Sequence, residues 1–269
     1  TGVSVTAWEA DNVSHGDDAR EYVVVHNAIA GRLEETIVKR LEMDETKIKN
    51  LKLTGSINTE DYTFMRDKMT SLQRVNLKEV ESLIDGVYQI PDGALASKTT
   101  LIKCFFPDKL ERIGNAAFRG TSLTGTVLLP EGLKYVSGFS YTNITNVHFP
   151  VTLEEIGVEA FYDCSSLMTT VSFPESLKFI GDRAFSGAAI SGNLVLPSRL
   201  ERIGSEAFSS CRSLTGSLVI PSRITEVEPY AFNGCGCNGT LTLPNSLVKI
   251  GEYAFSGSKF KGKDRKSVV

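Results

Sequence analysis

LPSRLERIGSEAFSSCRSLTGSLVIP, Leu196 to Pro221, is one copy of a unit that recurs imperfectly from about Leu101 to Phe260. A proline closes a short apolar run at Pro107, Pro130, Pro150, Pro174, Pro197, Pro221 and Pro244, with spacings of 23, 20, 24, 23, 24 and 23 residues. A fixed period in this range marks a solenoid. Three residues after each proline stands Leu or Ile (Leu200 here), and three further on Ile or Val (Ile203). A glycine usually follows, then Ala-Phe, so that Phe118, Phe161, Phe185, Phe208, Phe232 and Phe255 share one slot. The run before the proline alternates, as in Leu194-Val195-Leu196, which predicts a strand with one buried face. Proline lacks an N–H and ends the pairing. The glycine suits a sharp turn with unusual φ/ψ. The Glu-Ala-Phe piece is too short for an independent helix and predicts one turn of helix or 3-10 with its phenylalanine inward. One coil cannot bury its apolar face alone, so the fold expected is an α/β repeat solenoid of stacked parallel strands.

Stacking turns each repeat position into a column. Val127, Val147, Val171, Leu194, Leu218 and Leu241 fall inward. The outward column between the inward ones reads Phe105, Leu128, His148, Ser172, Val195, Val219 and Thr242, and beside it runs an almost entirely polar column through Lys103, Thr126, Asn146, Thr170, Asn193, Ser217 and Thr240. Four residues past the proline the sign of charge alternates from coil to coil: Glu111, Lys134, Glu154, Lys178, Glu201. Opposite charges on neighbouring coils stabilise by about 0.2–1 kcal/mol per pair and pin the stacking order.

The phrase LP-x-x-L-x-x-IG-x-x-AF-x-x-C-x-x-L-x-G, legible from Pro150 to Leu167 and from Pro197 to Gly216, resembles the BspA-like leucine-rich repeats of bacterial surface proteins. The resemblance covers about Leu51 to Phe260. It implies a leucine-rich-repeat-like solenoid and a role in adhesion or in binding a host or matrix partner. It implies no catalytic residues.

At 269 residues, with 23% charged residues and a net charge of −3, the chain is ordinary in composition, and the charge argues against nucleic acid as a partner. No apolar run approaches the length of a membrane span. Residues 1–50 read as a strand–helix capping region, 51–260 as the solenoid and 261–269 as a basic tail. In the first, EYVVVHNA predicts a strand from Glu21 to about His26, and Leu33, Ile37 and Leu41 recur at helical spacing. Asp11, Asp17 and Asp18 beside His15 match no calcium loop and read as a solvated acidic segment. His26 reads as a strand residue rather than a metal ligand. DYTFMRDKMTSL predicts a helix with Asp61 as N-cap and Tyr62, Met65 and Met69 in the core. From Leu77 to Phe106 is longer than one period, and the excess reads as a loop insertion around Ile84–Tyr88. The coil after Pro130 lacks Ala-Phe, with Phe139 and Tyr141 as substitutes.

Cys164, Cys211 and Cys235 share one slot, which says packing; with Cys104 and Cys237 the count is odd, and free buried thiols are expected. Asn12, Asn143 and Asn238 lie in N-x-S/T sequons, which carry sugar only in a eukaryotic source. In the tail, Lys263 to Lys266 fall where a further strand would lie, with Asp264 and Lys266 inward, and charges there discourage end-to-end stacking. Phosphate-loop, zinc-site and nucleophile motifs do not occur, and no cofactor is expected.

The expectation is a non-enzymatic, secreted or surface-tethered recognition module, an outer-membrane lipoprotein if bacterial, with a lipid anchor upstream of Thr1. Its partner is a protein or glycan on a host or neighbouring cell. The candidate contact face is Phe105, Leu128 and His148, with Tyr141 nearby. The alternative is carbohydrate binding in a glycan-uptake system through the aromatics Phe105, Tyr135 and Phe179. A third reading places hydrolysis at the Leu83–Gly93 loop or the N-terminal segment.

Overall fold

The computed structural model describes residues 4–7 and 21–261. Asp11, Asp17, Asp18, His15 and Asn12 lie outside the described residues, as do Lys263, Asp264 and Lys266 of the tail.

The chain is a parallel β-solenoid closed at its N-terminal end by a small α+β cap. In the cap, β1 (Ser4–Ala7) pairs antiparallel with β2 (Glu21–Asn27). From β2 onward all pairing in this sheet is parallel, through β3 (Asn50–Ser56) and β4 (Arg74–Glu81) to Lys103–Phe105. Leu33 and Ile37 are buried, Ile37 within a π-helical turn over Glu35–Arg40. Helix α1 (Thr59–Asp67) buries Tyr62 and Met65 as expected, but its N-cap is Asn58 rather than Asp61. Asp61 stands at the third helical position and closes a capping box. Its carboxylate is buried and accepts the N–H groups of Gly31 (2.7 Å), Leu33 (2.9 Å) and Asn58 (3.0 Å). It thereby ties the cap's entering loop to the helix.

The expected loop insertion is a β-hairpin. β5 (Leu83–Ile84) and β6 (Val87–Ile90) pair antiparallel around Asp85-Gly86, both with φ above +50° as a type I′ turn requires. β6 then pairs in parallel with Arg112–Ile113, placing Ile90 against Ile113. The Leu95 N–H donates to Ala117 O at 2.7 Å, so Ala94-Leu95 fills the Ala-Phe slot of a coil that the proline spacing hides.

The largest sheet lies after the prolines, not before them. Seven strands, from β5 and β6 through the pairs ending at Ile113, Val136, Ile156, Ile180 and Ile203, form one sheet. Before Pro107 the strand Lys103–Phe105 still belongs to the cap sheet, but before the later prolines pairing is confined to short patches: Thr124–Leu128 with Asn143–His148, Gly192–Asn193 with Leu214–Thr215, and Leu218–Val219 with Leu241–Thr242. No strand forms ahead of Pro174. In other coils side chains of the polar column join the backbone bonding, with Asn146 Oδ1 accepting Val147 N–H at 2.9 Å and Ser217 Oγ accepting Thr240 N–H at 2.9 Å.

The Ala-Phe corner is not helical. It is a run of β-turns in which Ala117, Ala160, Ala184 and Ala207 donate to the glycine carbonyl three residues earlier. The residue two before the phenylalanine is left-handed: Ala116, Glu159, Arg183, Glu206, Tyr230 and Tyr253 have φ of 52–57°. The preceding glycine answers a different demand. A Cβ on Gly204 meets Asp182 N at 2.5 Å and Gly181 C at 2.6 Å, and one on Gly181 meets Gly157 C at 2.6 Å. These glycines let adjacent coils touch backbone to backbone; their φ values are not left-handed.

The shared phenylalanines form a stack. Phe139 fills the slot in the shortened coil, 5.3 Å from Phe118 and 5.6 Å from Phe161. The series continues through Phe185, Phe208 and Phe232 to Phe255 at 5.2–5.5 Å. All but Phe255 are fully buried.

Candidate functional site

Phe105, Leu128 and His148 lie on the outward side of pre-proline strands. Leu128 and His148 are register partners in one parallel pair, and both are exposed, Leu128 by 52%. Asn146 Nδ2 lies 3.4 Å from His148 Nε2. Phe105 is half-buried, its ring under the Lys103 ammonium at 5.6 Å. Tyr141 belongs to another part of the coil. It is left-handed (φ 58°), packs edge-on to Tyr162 at 5.3 Å and lies under the Arg119 guanidinium at 5.5 Å. The outward column remains exposed further along, at Val195 (65%) and Val219 (57%).

The three aromatics of the carbohydrate reading are divided between faces. Tyr135 and Phe179 sit on the post-proline sheet, each in register with Glu155 between them, whereas Phe105 is on the pre-proline side. Tyr135 is clasped: its hydroxyl donates to Asn115 Oδ1 at 2.7 Å, the Arg112 guanidinium covers its ring at 4.9 Å, and burial raises its pKa.

The alternating charges behave as a structural ladder. Lys134 Nζ meets Glu111 at 2.6 Å, Lys178 meets Glu154 at 2.6 Å, and Arg223 takes Glu201 at 3.1 Å. The Lys178 ammonium holds the Glu154 carboxyl below the usual carboxylate range. Asp92 and Asp182 make a second clasp: each accepts a backbone N–H of the next coil, from Asn115 (2.8 Å) and Ser205 (3.0 Å), while meeting Arg112 or Arg202.

All five cysteines are free and buried. In the slot shared by Cys164, Cys211 and Cys235, two thiols cap phenylalanine carbonyls: Cys164 Sγ donates to Phe139 O and Cys211 Sγ to Phe185 O, both at 3.0 Å, and Ser258 in the same slot does so to Phe232 O at 2.9 Å. Burial pushes the Cys164 thiol up to about 11. A hydrogen bond shared with Cys235 raises Cys237 and lowers Cys235. His26 is a strand residue whose Nδ1 lies 2.9 Å from Thr54 Oγ1. Among the described residues no helix is long and apolar enough to cross a membrane.

Several solved structures resemble this chain, among them the following. A T. pallidum leucine-rich repeat protein is 28% identical, covering 66% of this chain and 72% of its own, with a TM-score of 0.43. A leucine-rich repeat protein from Bacteroides ovatus is 20% identical over 92% and 71%, with a TM-score of 0.49. A leucine rich cell surface protein from Faecalibacterium prausnitzii is 21% identical over 93% and 86%, with a TM-score of 0.42. No curated protein matches. The family model for the BspA type leucine rich repeat region matches in six copies, over residues 43–138, 88–215 and 135–261, and the chain belongs to that family.

Proposed function

We propose that the protein is a non-enzymatic recognition module that works at a cell surface or after secretion and holds a macromolecular partner against its outward pre-proline face. The observation that carries the reading is the exposure of that face: Leu128, Val195 and Val219 are apolar, more than half exposed and borne on a rigid stack. A solenoid supplies an extended surface of this kind, which suits a large partner better than a small molecule. Phe105, Leu128 and His148 form its N-terminal end.

The test is adhesion of the purified protein to cells and matrix-coated surfaces. Phe105→Ala with Leu128→Ser, and separately Val195→Asp with Val219→Asp, leave the melting temperature nearly unchanged because the altered groups are largely outside the core. At least one pair loses adhesion if the reading is right. Full adhesion by both pairs places the contact on another face.

A further inference from the structure

The pre-proline face is uncharged. Six successive segments build it: 124–128, 143–148, 168–172, 191–195, 215–219 and 238–242. Not one Asp, Glu, Lys or Arg occurs in them, although these types make up 23% of the chain. Half of each segment points inward, where charge is excluded anyway, but the outward half is exposed and equally bare: Thr170, Asn193, Thr215, Ser217 and Thr240 carry hydroxyl or amide groups, with Asn193 in register with Thr215, and Val195 and Val219 stand beside them. The ion pairs of these coils stand past the prolines, as in Lys178–Glu154 and Arg202–Asp182. Lys103, one coil earlier, marks the face's N-terminal limit. What remains is a set of hydroxyl and amide groups, about 4.7–4.9 Å apart where strands pair, beside an outward column that is apolar at Leu128, Val195 and Val219 and polar at His148 and Ser172. Part of the set is held in place, since Ser217 Oγ accepts the Thr240 N–H and keeps its own proton free to donate.

We propose that this face binds a neutral polysaccharide lying along the solenoid axis. The inference rests on the recognition reading above and names its partner class. A neutral sugar chain offers hydroxyls that both donate and accept, as Thr, Ser and Asn do, and C–H ring faces that pack on Leu128, Val195 and Val219. It is also a repeating polymer, so successive coils can contact successive sugar units. An acidic glycan or a charged protein surface finds no countercharge here. A neutral peptide binding by strand addition needs an open strand edge, and interior coils have neighbours on both sides. The footprint therefore consists of small polar residues, and excludes the aromatics Tyr135 and Phe179 of the opposite sheet.

The experiment is affinity electrophoresis and calorimetry of the full chain against neutral β-glucan, mannan and xyloglucan, with alginate and heparin as acidic comparators, at low and high salt. The expected result is binding to at least one neutral polymer, little affected by salt because no charges are screened, and none to the acidic ones. Val195→Asp with Val219→Asp weakens it by about tenfold or more, since carboxylates buried against sugar lack partners, while Phe179→Ala leaves it unchanged. Binding lost in Phe179→Ala but kept in the double variant overturns the footprint. Failure to bind any neutral polymer overturns the proposal, and so does ice-growth inhibition without glycan binding. If adhesion to cells is still lost in the double variant, the recognition reading stands and only the glycan assignment falls.

Discussion

Gly204→Ala separates two explanations of the Ile-Gly signature by the sign of its effect. If only Gly204's own backbone angles decided the outcome, its φ outside the left-handed region would accept alanine, and the stiffer unfolded chain would stabilise the protein by about 0.4–1 kcal/mol. The structure places the added Cβ 2.5 Å from Asp182 N and 2.6 Å from Gly181 C. Both are backbone atoms of the preceding coil and cannot rotate away. Overpacking costs about 1–3 kcal/mol where side chains can yield, so the upper end, about 3 kcal/mol, is expected here. The companion change is Ala116→Gly, two residues past Gly114, at φ 53°. It relieves a left-handed penalty of about 1–2 kcal/mol and gives back about 0.5–1 kcal/mol in unfolded-chain entropy, for a net gain of several tenths to about 1 kcal/mol. Urea unfolding followed by far-ultraviolet circular dichroism measures both. Repeat arrays do not always unfold in one step, so hydrogen exchange of the flanking coils accompanies it. A stabilised Gly204→Ala refutes the close-contact account, and a strongly destabilised Ala116→Gly refutes the assignment of the strained position.

Phe208→Ala is expected to cost about 4–5 kcal/mol, the upper part of the range for a fully buried ring, because it removes stacked neighbours on both sides, Phe185 at 5.5 Å and Phe232 at 5.4 Å. Phe255→Ala, partly exposed with one stacked neighbour, should cost about half as much, and Glu201→Ala about 1 kcal/mol or less; denaturant melts in the reverse order would show that the stack is not what holds the coils. Asp61→Ala leaves three backbone N–H groups of the cap without their acceptor and should cost about 3–5 kcal/mol, with exchange protection lost first at Gly31 and Leu33; a loss below 1 kcal/mol would mean that water replaces the carboxylate.

What the sequence made legible was whatever recurs. The period, the inward columns and the phenylalanine stack each rest on several copies of one residue type in one slot, and a single odd coil does not hide them: Phe139 was legible as a substitute because its neighbours define the place it fills. Features that appear once were read less well. Asp61 looks like an N-cap because its type suits one, and only the chain's path shows that Asn58 precedes it and that Gly31 and Leu33 converge on the same carboxylate. The Leu83–Ile90 hairpin reads as a loop insertion because the spacing exceeds one period, although Asp85-Gly86 between alternating apolar residues is a hairpin signal; Leu95 in place of phenylalanine hides the coil that follows it. The glycine after each isoleucine shows a third kind of failure. A recurring glycine announces a constraint without saying which: a Cβ is excluded equally by a left-handed backbone and by a neighbour 2.5 Å away. Here the two constraints fall two residues apart, and glycine is kept for the contact while alanine, glutamate, arginine and tyrosine bear the left-handed angle. That division has a physical order. A left-handed residue costs about 1–2 kcal/mol, which a rigid stack can absorb, whereas a side chain between touching coils would part the backbones whose hydrogen bonds build the stack. The surface column obeyed no such constraint. Its absence of charge is invisible in any one coil, where five uncharged residues mean nothing, and emerges only when the segments are laid side by side as the fold lays them.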